Sequence, residues 1–256
     1  MFDFSGKVVL ITGAAGGIGR GLCQAFLDWG ATVLALDRDA DALASMDARL
    51  KIAAVDLTDL AAVKTVVDGL VAANGPVDIL VNNAGAAAAT ALATLKPEDW
   101  AHDLAINLSA AYHCVEAVKA AMFARKSGVI INIGTVNAGL AIGHPAYSAA
   151  KAGLVSYTKA LAVEYGPLGI RANLVAPGTV KTQAWAERAA KKPEVFDDLK
   201  KWYPLRDFAD PKDIANAVAF LSCDLSRMIT GVVLPVDAGL TAGNPVLAAE
   251  LTLESF

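Results

Sequence analysis

Tyr147 and Lys151 stand four residues apart in Tyr147-Ser148-Ala149-Ala150-Lys151. On a helix that spacing puts a phenol and an ammonium on one face. A phenol titrates near ~10 in water, whereas a general base works best near ~7. Closing that gap takes roughly 4 kcal/mol of preferential phenolate stabilisation, which a neighbouring cation in a partly dry site can supply. Thr135 adds a hydroxyl just beyond the β-branched run Val129–Ile133. A third cluster is Thr12-Gly13-Ala14-Ala15-Gly16-Gly17-Ile18-Gly19. Glycines there let the backbone turn sharply, so that phosphate oxygens can reach the N–H groups of a following helix. No Lys-Ser/Thr follows, which disfavours a nucleoside-triphosphate loop. A plain βα turn is the alternative.

Asp37 ends the next apolar run, 18 residues after Gly19. A carboxylate at that place accepts hydrogen bonds from both hydroxyls of an adenosine ribose and repels a 2′-phosphate. Its alternative is an N-cap. Arg38 adjoins it and suits a 2′-phosphate, but Gly16 offers no second basic group. Asp56 follows the same logic, either reaching an adenine amino group or capping a strand end.

These groups need a scaffold. Short apolar runs at Val8–Thr12, Thr32–Asp37, Ile52–Asp56, Ile79–Asn82, Val129–Ile133, Ala172–Val175 and Val232–Val236 alternate with helical stretches at Ile18–Trp29, Leu60–Ala73, Pro97–Arg125, Ala146–Tyr165 and Pro211–Cys223. Continuous apolar strands between helices predict βαβ units and a mostly parallel sheet covered on both faces. Ligands of such sheets bind at the strands' C-terminal edge, where Thr135 lies. Gly30 and Gly166 follow helical stretches and are expected in left-handed caps. Residues 182–204 break the alternation with charge, Trp and Pro, and read as a helical flap. The tail after Asp237 reads as a loop.

Composition narrows the rest. The 256 residues carry a net charge of −4 and 55% hydrophobic side chains. That excludes disorder, and no basic stripe exists for nucleic acid. Three cysteines, Cys23, Cys114 and Cys223, lie far apart, which predicts reduced, buried thiols in a cytosolic protein. The N-terminus lacks a basic n-region and reads as the approach to a strand, not as a signal peptide. No long uncharged apolar run predicts a membrane span. No metal is expected.

Taken together, Thr12–Gly19, Asn82-Asn83-Ala84-Gly85, Tyr147–Lys151 and Pro177-Gly178 resemble the short-chain dehydrogenase/reductase family, in order and spacing, over almost the whole chain. The resemblance implies an α/β single-domain Rossmann fold over residues 1–256, with a doubly wound seven-stranded parallel sheet. It implies a nicotinamide cofactor, which Asp37 specifies as NAD. It also implies a catalytic tetrad. Tyr147 is the acid/base; Lys151 lowers its pKa and holds the nicotinamide ribose. Asn107 positions a relay water, and Thr135 stands where the family usually has Ser. By the same resemblance the cofactor lies against Gly13, Gly17, Ile18, Gly19, Asp37, Asp56, Leu57, Asn83, Ala84, Gly85, Tyr147, Lys151, Pro177, Gly178, Val180 and Thr182. Asn83 has a structural alternative, the tying of strands.

Asn137, His144, Gln183 and Trp185 are candidate substrate walls and lean toward a small polar hydroxylated substrate, a sugar or polyol. For His144 a solvent-facing loop histidine is the alternative, and for Trp185 plain flap packing. Small residues along Ala146–Tyr165 permit close helix pairing, and the family implies a homotetramer. The expectation is an NAD-dependent enzyme interconverting a secondary alcohol and a ketone. An NADP-linked 3-oxoacyl-type reductase and a non-catalytic nucleotide-binding protein are the alternatives.

Overall fold

The computed structural model describes residues 2–254. Its seven strands are β1 (Val8–Thr12), β2 (Thr32–Asp37), β3 (Lys51–Ala54), β4 (Ile79–Asn82), β5 (Gly128–Ile133), β6 (Ile170–Pro177) and β7 (Val233–Val236). They form one parallel sheet in the order β3-β2-β1-β4-β5-β6-β7. The order reverses between β1 and β4, which opens a crevice at their C-terminal ends.

Alternation along each strand explains why the runs are apolar throughout. On β1, Val9 and Ile11 pack with Leu22 and Phe26 of α1 (Gly17–Asp28) and with Ile214 and Val218 of α9 (Pro211–Ser222). Val8 and Leu10 face the other way, toward Val63 and Val67 of α3 (Leu60–Asn74), Val115 and Val118 of α5 (Ala110–Arg125) and Leu161 of α6 (Pro145–Tyr165). Both faces are therefore covered, and period-2 patterning gives way to a continuous hydrophobic run.

A polar chain crosses this core. Asn82 donates to Asn132 at 2.9 Å, Asn132 to Thr158 at 2.8 Å, and Thr158 to the Leu154 carbonyl at 2.7 Å. It pins α6 to β5. Cys23 and Cys114 are buried and Cys223 half-buried, all three as free thiols.

Several boundaries depart from expectation. β3 stops at Ala54 because its pairing with β2 ends there, at Asp37; Asp56 lies beyond the strand. A short helix, α2 (Ala40–Ala44), is capped by Asp39. The stretch Pro97–Arg125 is not one α-helix. It is α4 (Pro97–Leu104), a π-helical turn over Ala105–Ser109 and then α5. Gly30 is left-handed, with φ +86°, but Gly166 is not, with φ −52°. There the helix tightens into a 3₁₀ turn through Leu168, and Gly169 takes the left-handed position at φ +76°. The flap holds two helices, α7 (Gln183–Lys191) and α8 (Val195–Lys200). The tail is no loop: Asn244 accepts from the Leu247 N–H and Pro245 opens α10 (Pro245–Thr252). Among the described residues, no helix is long and apolar enough to cross a membrane.

Candidate active site

β1 delivers the glycine turn to the crevice. Gly13 is left-handed, and a Cβ on it would lie 2.7 Å from the Ala84 Cα. A Cβ on Gly19 would lie 2.1 Å from the Gly13 carbonyl oxygen, and one on Gly17 would strike the Thr182 side chain at 2.7 Å. The turn is thus folded tightly upon itself and roofed by Thr182. No side chain caps the N-terminus of α1, so its leading N–H groups keep their capacity for an anion. Asn83 clamps the turn by donating to the Thr12 and Gly13 carbonyls at 2.9 and 3.0 Å. Thr12 Oγ1 returns the contact by accepting from the Asn83 and Ala84 N–H groups at 3.0 and 3.1 Å. The Asn83 side chain therefore ties β4 to β1.

The Asp37 carboxylate, at the end of β2, accepts from the Ala15 N–H at 2.9 Å and from the Asp39 N–H at 3.2 Å. Arg38 is exposed beside it. Asp56 accepts from the Thr58 N–H and hydroxyl at 2.9 and 2.7 Å, bonds that hold its carboxyl below the ordinary value. Leu57 is buried, and its carbonyl accepts from His113 Nδ1 at 2.8 Å. The uncapped helix end, the glycine cradle and the Asp37 carboxylate together fit a dinucleotide, with its diphosphate at Gly13–Gly19 and its adenosine ribose at Asp37.

The other half of the site lies at the ends of β5 and β6. Here a cavity of about 1170 Å³ opens. Tyr147 and Lys151 enter it from the first turns of α6, and Thr135 from the end of β5. Lys151 is 3% exposed; its Nζ donates to the Ile133 carbonyl at 2.7 Å and lies 5.8 Å from the centre of the Tyr147 ring. Burial pulls the ammonium down to about 8. Burial also raises the Tyr147 phenol above its ordinary value, opposed in part by Thr135, whose hydroxyl lowers it. The chain by itself thus moves the phenol upward, not toward neutrality, because desolvation dominates.

Asn107 sits on the π-helical turn, 1% exposed. Its Oδ1 accepts from the Ala86 N–H at 3.2 Å, while Nδ2 donates to the carbonyls of Ala86 and Asp103 at 2.6 and 2.9 Å. The extra residue of the turn aims this amide at the strand-end segment. A Cβ on Gly85 would touch Asn107 Oδ1 at 2.6 Å and Lys151 Nζ at 3.4 Å, so Gly85 separates the two.

Asn137, His144, Trp185, Pro177, Gly178, Val180 and Thr182 line the cavity. Gln183 is exposed and is not among the lining residues. His144 is half-buried, its ring centre 6.4 Å from that of Tyr147, instead of facing solvent. Sequence reasoning missed Asp103, fully buried one turn before Asn107, whose carboxylate accepts from the Ala88 N–H at 3.1 Å. An acid at i−4 to Asn107 was the available signal. It also missed Leu140, Ile142, Trp202 and Leu240 in the walls, and Thr241 and Asn244 from the tail. Among the described residues no group of three or more His, Cys, Asp or Glu could hold a metal ion.

Comparison with known proteins agrees with this geometry. Residues 13–241 match the family model described as enoyl-(acyl carrier protein) reductase. An uncharacterised oxidoreductase of Schizosaccharomyces pombe is 46% identical, covering 98% of this chain and 96% of its own. A D-threitol dehydrogenase of Mycolicibacterium smegmatis is 38% identical, covering 94% and 95%. A crystal structure of a short-chain dehydrogenase/reductase-family oxidoreductase from Burkholderia thailandensis is 56% identical, covers 98% of both chains and superposes with a TM-score of 0.92. Matched over nearly its whole length by these relatives and in its fold by this structure, the chain belongs to the short-chain dehydrogenase/reductase family of oxidoreductases.

Proposed function

We propose that the protein is an NAD-dependent oxidoreductase interconverting a secondary alcohol and a ketone, acting on a small polar hydroxylated substrate such as a sugar alcohol. The observation that carries the reading is the cavity at the sheet's C-terminal edge, which Tyr147, Thr135 and the buried Lys151 line together. Bound nicotinamide would exchange hydride with the substrate carbon. Tyr147 takes the proton from the substrate oxygen in oxidation and returns it in reduction. Thr135 holds that oxygen within reach of the phenol. Lys151 binds the ribose hydroxyls and, with the cofactor's positive ring, favours the phenolate. Asn107 fixes the Gly85–Ala86 backbone that borders the same space.

Asp37 supports NAD, because its carboxylate stands beside the glycine turn where a 2′-phosphate would have to lie. The threitol dehydrogenase among the relatives supports a polyol substrate. Exposed Ala149, Ala152, Ser156 and Ala160 along α6 offer a flat small-residue face, which supports a homotetramer. The test follows nicotinamide reduction with D-threitol, other tetritols and hexitols, using NAD and NADP, and nicotinamide oxidation with a 3-oxoacyl thioester. The expected result is turnover of a polyol with NAD, at least tenfold more efficient than with NADP. In Asp37→Ala that preference should erode. Turnover of the thioester alone, with NADP, overturns the reading.

A further inference from the structure

Asp103 is a buried acid to which the proposed chemistry gives no task. It lies on the inward face of α4, where a helix ordinarily carries an apolar side chain. α4 packs there against α6, the helix of Tyr147 and Lys151. Among the described residues its carboxylate has no cationic partner and accepts from a single group, the Ala88 N–H, at 3.1 and 3.4 Å to its two oxygens. A carboxylate in a dry place without a cation costs stability, and an apolar side chain of similar size costs less. Packing therefore gives no reason for an acid at this position. The reason lies at Ala88.

The segment that follows β4 borders the cavity, with Gly85, Ala86 and Ala87 in its wall. Residues 83–89 belong to no helix or strand, so no regular ladder holds their backbone. Two side chains one helical turn apart hold it instead. Asn107 takes the Ala86 N–H and carbonyl, at 3.2 and 2.6 Å, and Asp103 takes the Ala88 N–H. The two grips are coupled, because Asn107 Nδ2 also donates to the Asp103 carbonyl at 2.9 Å. Held by Asn107 alone, the segment could pivot about Ala86. A second point two residues on fixes its direction.

We propose that Asp103 is a positioning residue: by gripping Ala88 it fixes the direction of the 85–88 segment, so that this wall of the cavity meets the nicotinamide end of the nucleotide in one place. The proposal rests on the nucleotide reading of the site given above.

Two variants of the purified full-length protein test it. Asp103→Leu removes both the charge and the acceptor. Asp103→Asn removes the charge but keeps an oxygen for the Ala88 N–H. Both are needed, because the charge of Asp103 also reaches Tyr147, whose phenol it raises. Loss of charge is common to the two variants, so a difference between them reports the acceptor. The readouts are affinity for NADH and NADPH by fluorescence titration, amide hydrogen exchange of residues 85–89 by mass spectrometry, and melting temperature.

In Asp103→Leu, affinity for the nucleotide that the wild type binds should fall about fivefold, the size of one net hydrogen bond. Exchange at 85–89 should quicken while that of β1 and β5 holds. Melting temperature should stay or rise, since a buried carboxylate is gone and the released N–H, on the exposed Ala88, can turn to water. Asp103→Asn should recover most of the affinity and the protection. A lower melting temperature with faster exchange throughout the chain makes Asp103 a structural residue and overturns the proposal. Equal losses in the two variants overturn it as well, as does a Leu variant with unaltered affinity and exchange. Should Asp103→Leu fail to fold, Asp103→Ala, which adds no bulk, takes its place under the same criteria. A wild type that binds neither nucleotide refutes the nucleotide reading instead, and the exchange comparison then decides by itself whether Asp103 holds the segment.

Discussion

Lys151 costs the fold stability in exchange for its position. Its ammonium is held to about 8 by burial, against an ordinary 10.5. Between those values the unfolded chain binds a proton that the folded chain does not, so stability rises with pH across that window. Below about 8 the cost of a buried charge is present in full. Lys151→Met removes it. The expected result at neutral pH is an inactive protein more stable by about 2 kcal/mol, after allowing roughly 1 kcal/mol for the lost bond to Ile133. The gain should shrink as pH climbs from 8 toward 10.5, which melting curves across that range would reveal. An unchanged melting temperature at pH 7 would show that the ammonium is better solvated than its burial implies. At Thr135, Ser should preserve turnover and Val should reduce it by ~10²–10³-fold, the usual cost of one bond at a reacting oxygen. Steady-state rates on the identified alcohol decide this, and an active Val variant removes Thr135 from the chemistry. Side chains that meet within one helical turn, such as Tyr147 and Lys151, were legible in the sequence because spacing alone places them. The engagement of Asn137 with the Gly143 carbonyl, at 3.3 Å, was not, since it depends on a left-handed loop that only the packed structure defines.

Elements were read best where burial dictates them. β1, β2 and β4 match their apolar runs to the residue, because both faces of those central strands are covered. Reading failed where hydrogen bonding overrides hydrophobic pattern. The π-helical turn that carries Asn107 leaves no trace in apolar periodicity, and α10 rests on an Asn-Pro signal in an otherwise apolar tail. The glycine turn gives an element-scale prediction. In Gly19→Ala the new methyl meets backbone, the Gly13 carbonyl, at 2.1 Å. Turn and helix must separate, at a cost of about 1–3 kcal/mol, or several degrees in melting temperature, together with loss of nucleotide binding. In Gly17→Ala the methyl meets Thr182 Cβ and Cγ2, both at 2.7 Å, so the head of the flap must shift away as a unit while the turn itself stays closed. A smaller drop is expected there, and thermal shift assays on both proteins make the comparison. Equal drops would mean that the turn yields as easily as the flap.

At the scale of the whole molecule, the α6 face raises the question of assembly. Gly153 is accounted for within the subunit, because a Cβ on it would lie 2.9 Å from Leu108. Ala149, Ala152, Ser156 and Ala160 point outward, and Val163 beyond them is 74% exposed. Sedimentation equilibrium should return four times the 26.4 kDa chain mass, and Ala152→Glu, which sets like charges against each other across a paired helix, should lower it. A wild-type monomer would leave that face for something else. A mostly parallel sheet covered by helices follows from strand–helix alternation, and so was legible; of the cavity's walls, Asn137, His144 and Trp185 were legible, whereas Leu240, Thr241 and Asn244 were not, because the tail reaches the cavity from beyond β7.

The clamp of Asn83 on Thr12 and Gly13 also dictates when during synthesis the nucleotide can first be held. The turn leaves the ribosome early, but its clamp follows some 70 residues later, just past the end of β4, a strand that must pair beside β1. Closing so long a loop is entropically slow to be repaid. A nascent chain carrying only the first two strands therefore owns the glycines without the grip. Nucleotide affinity arrives as a step once β4 docks, and from then on the ligand draws the remaining strands toward the native state by mass action.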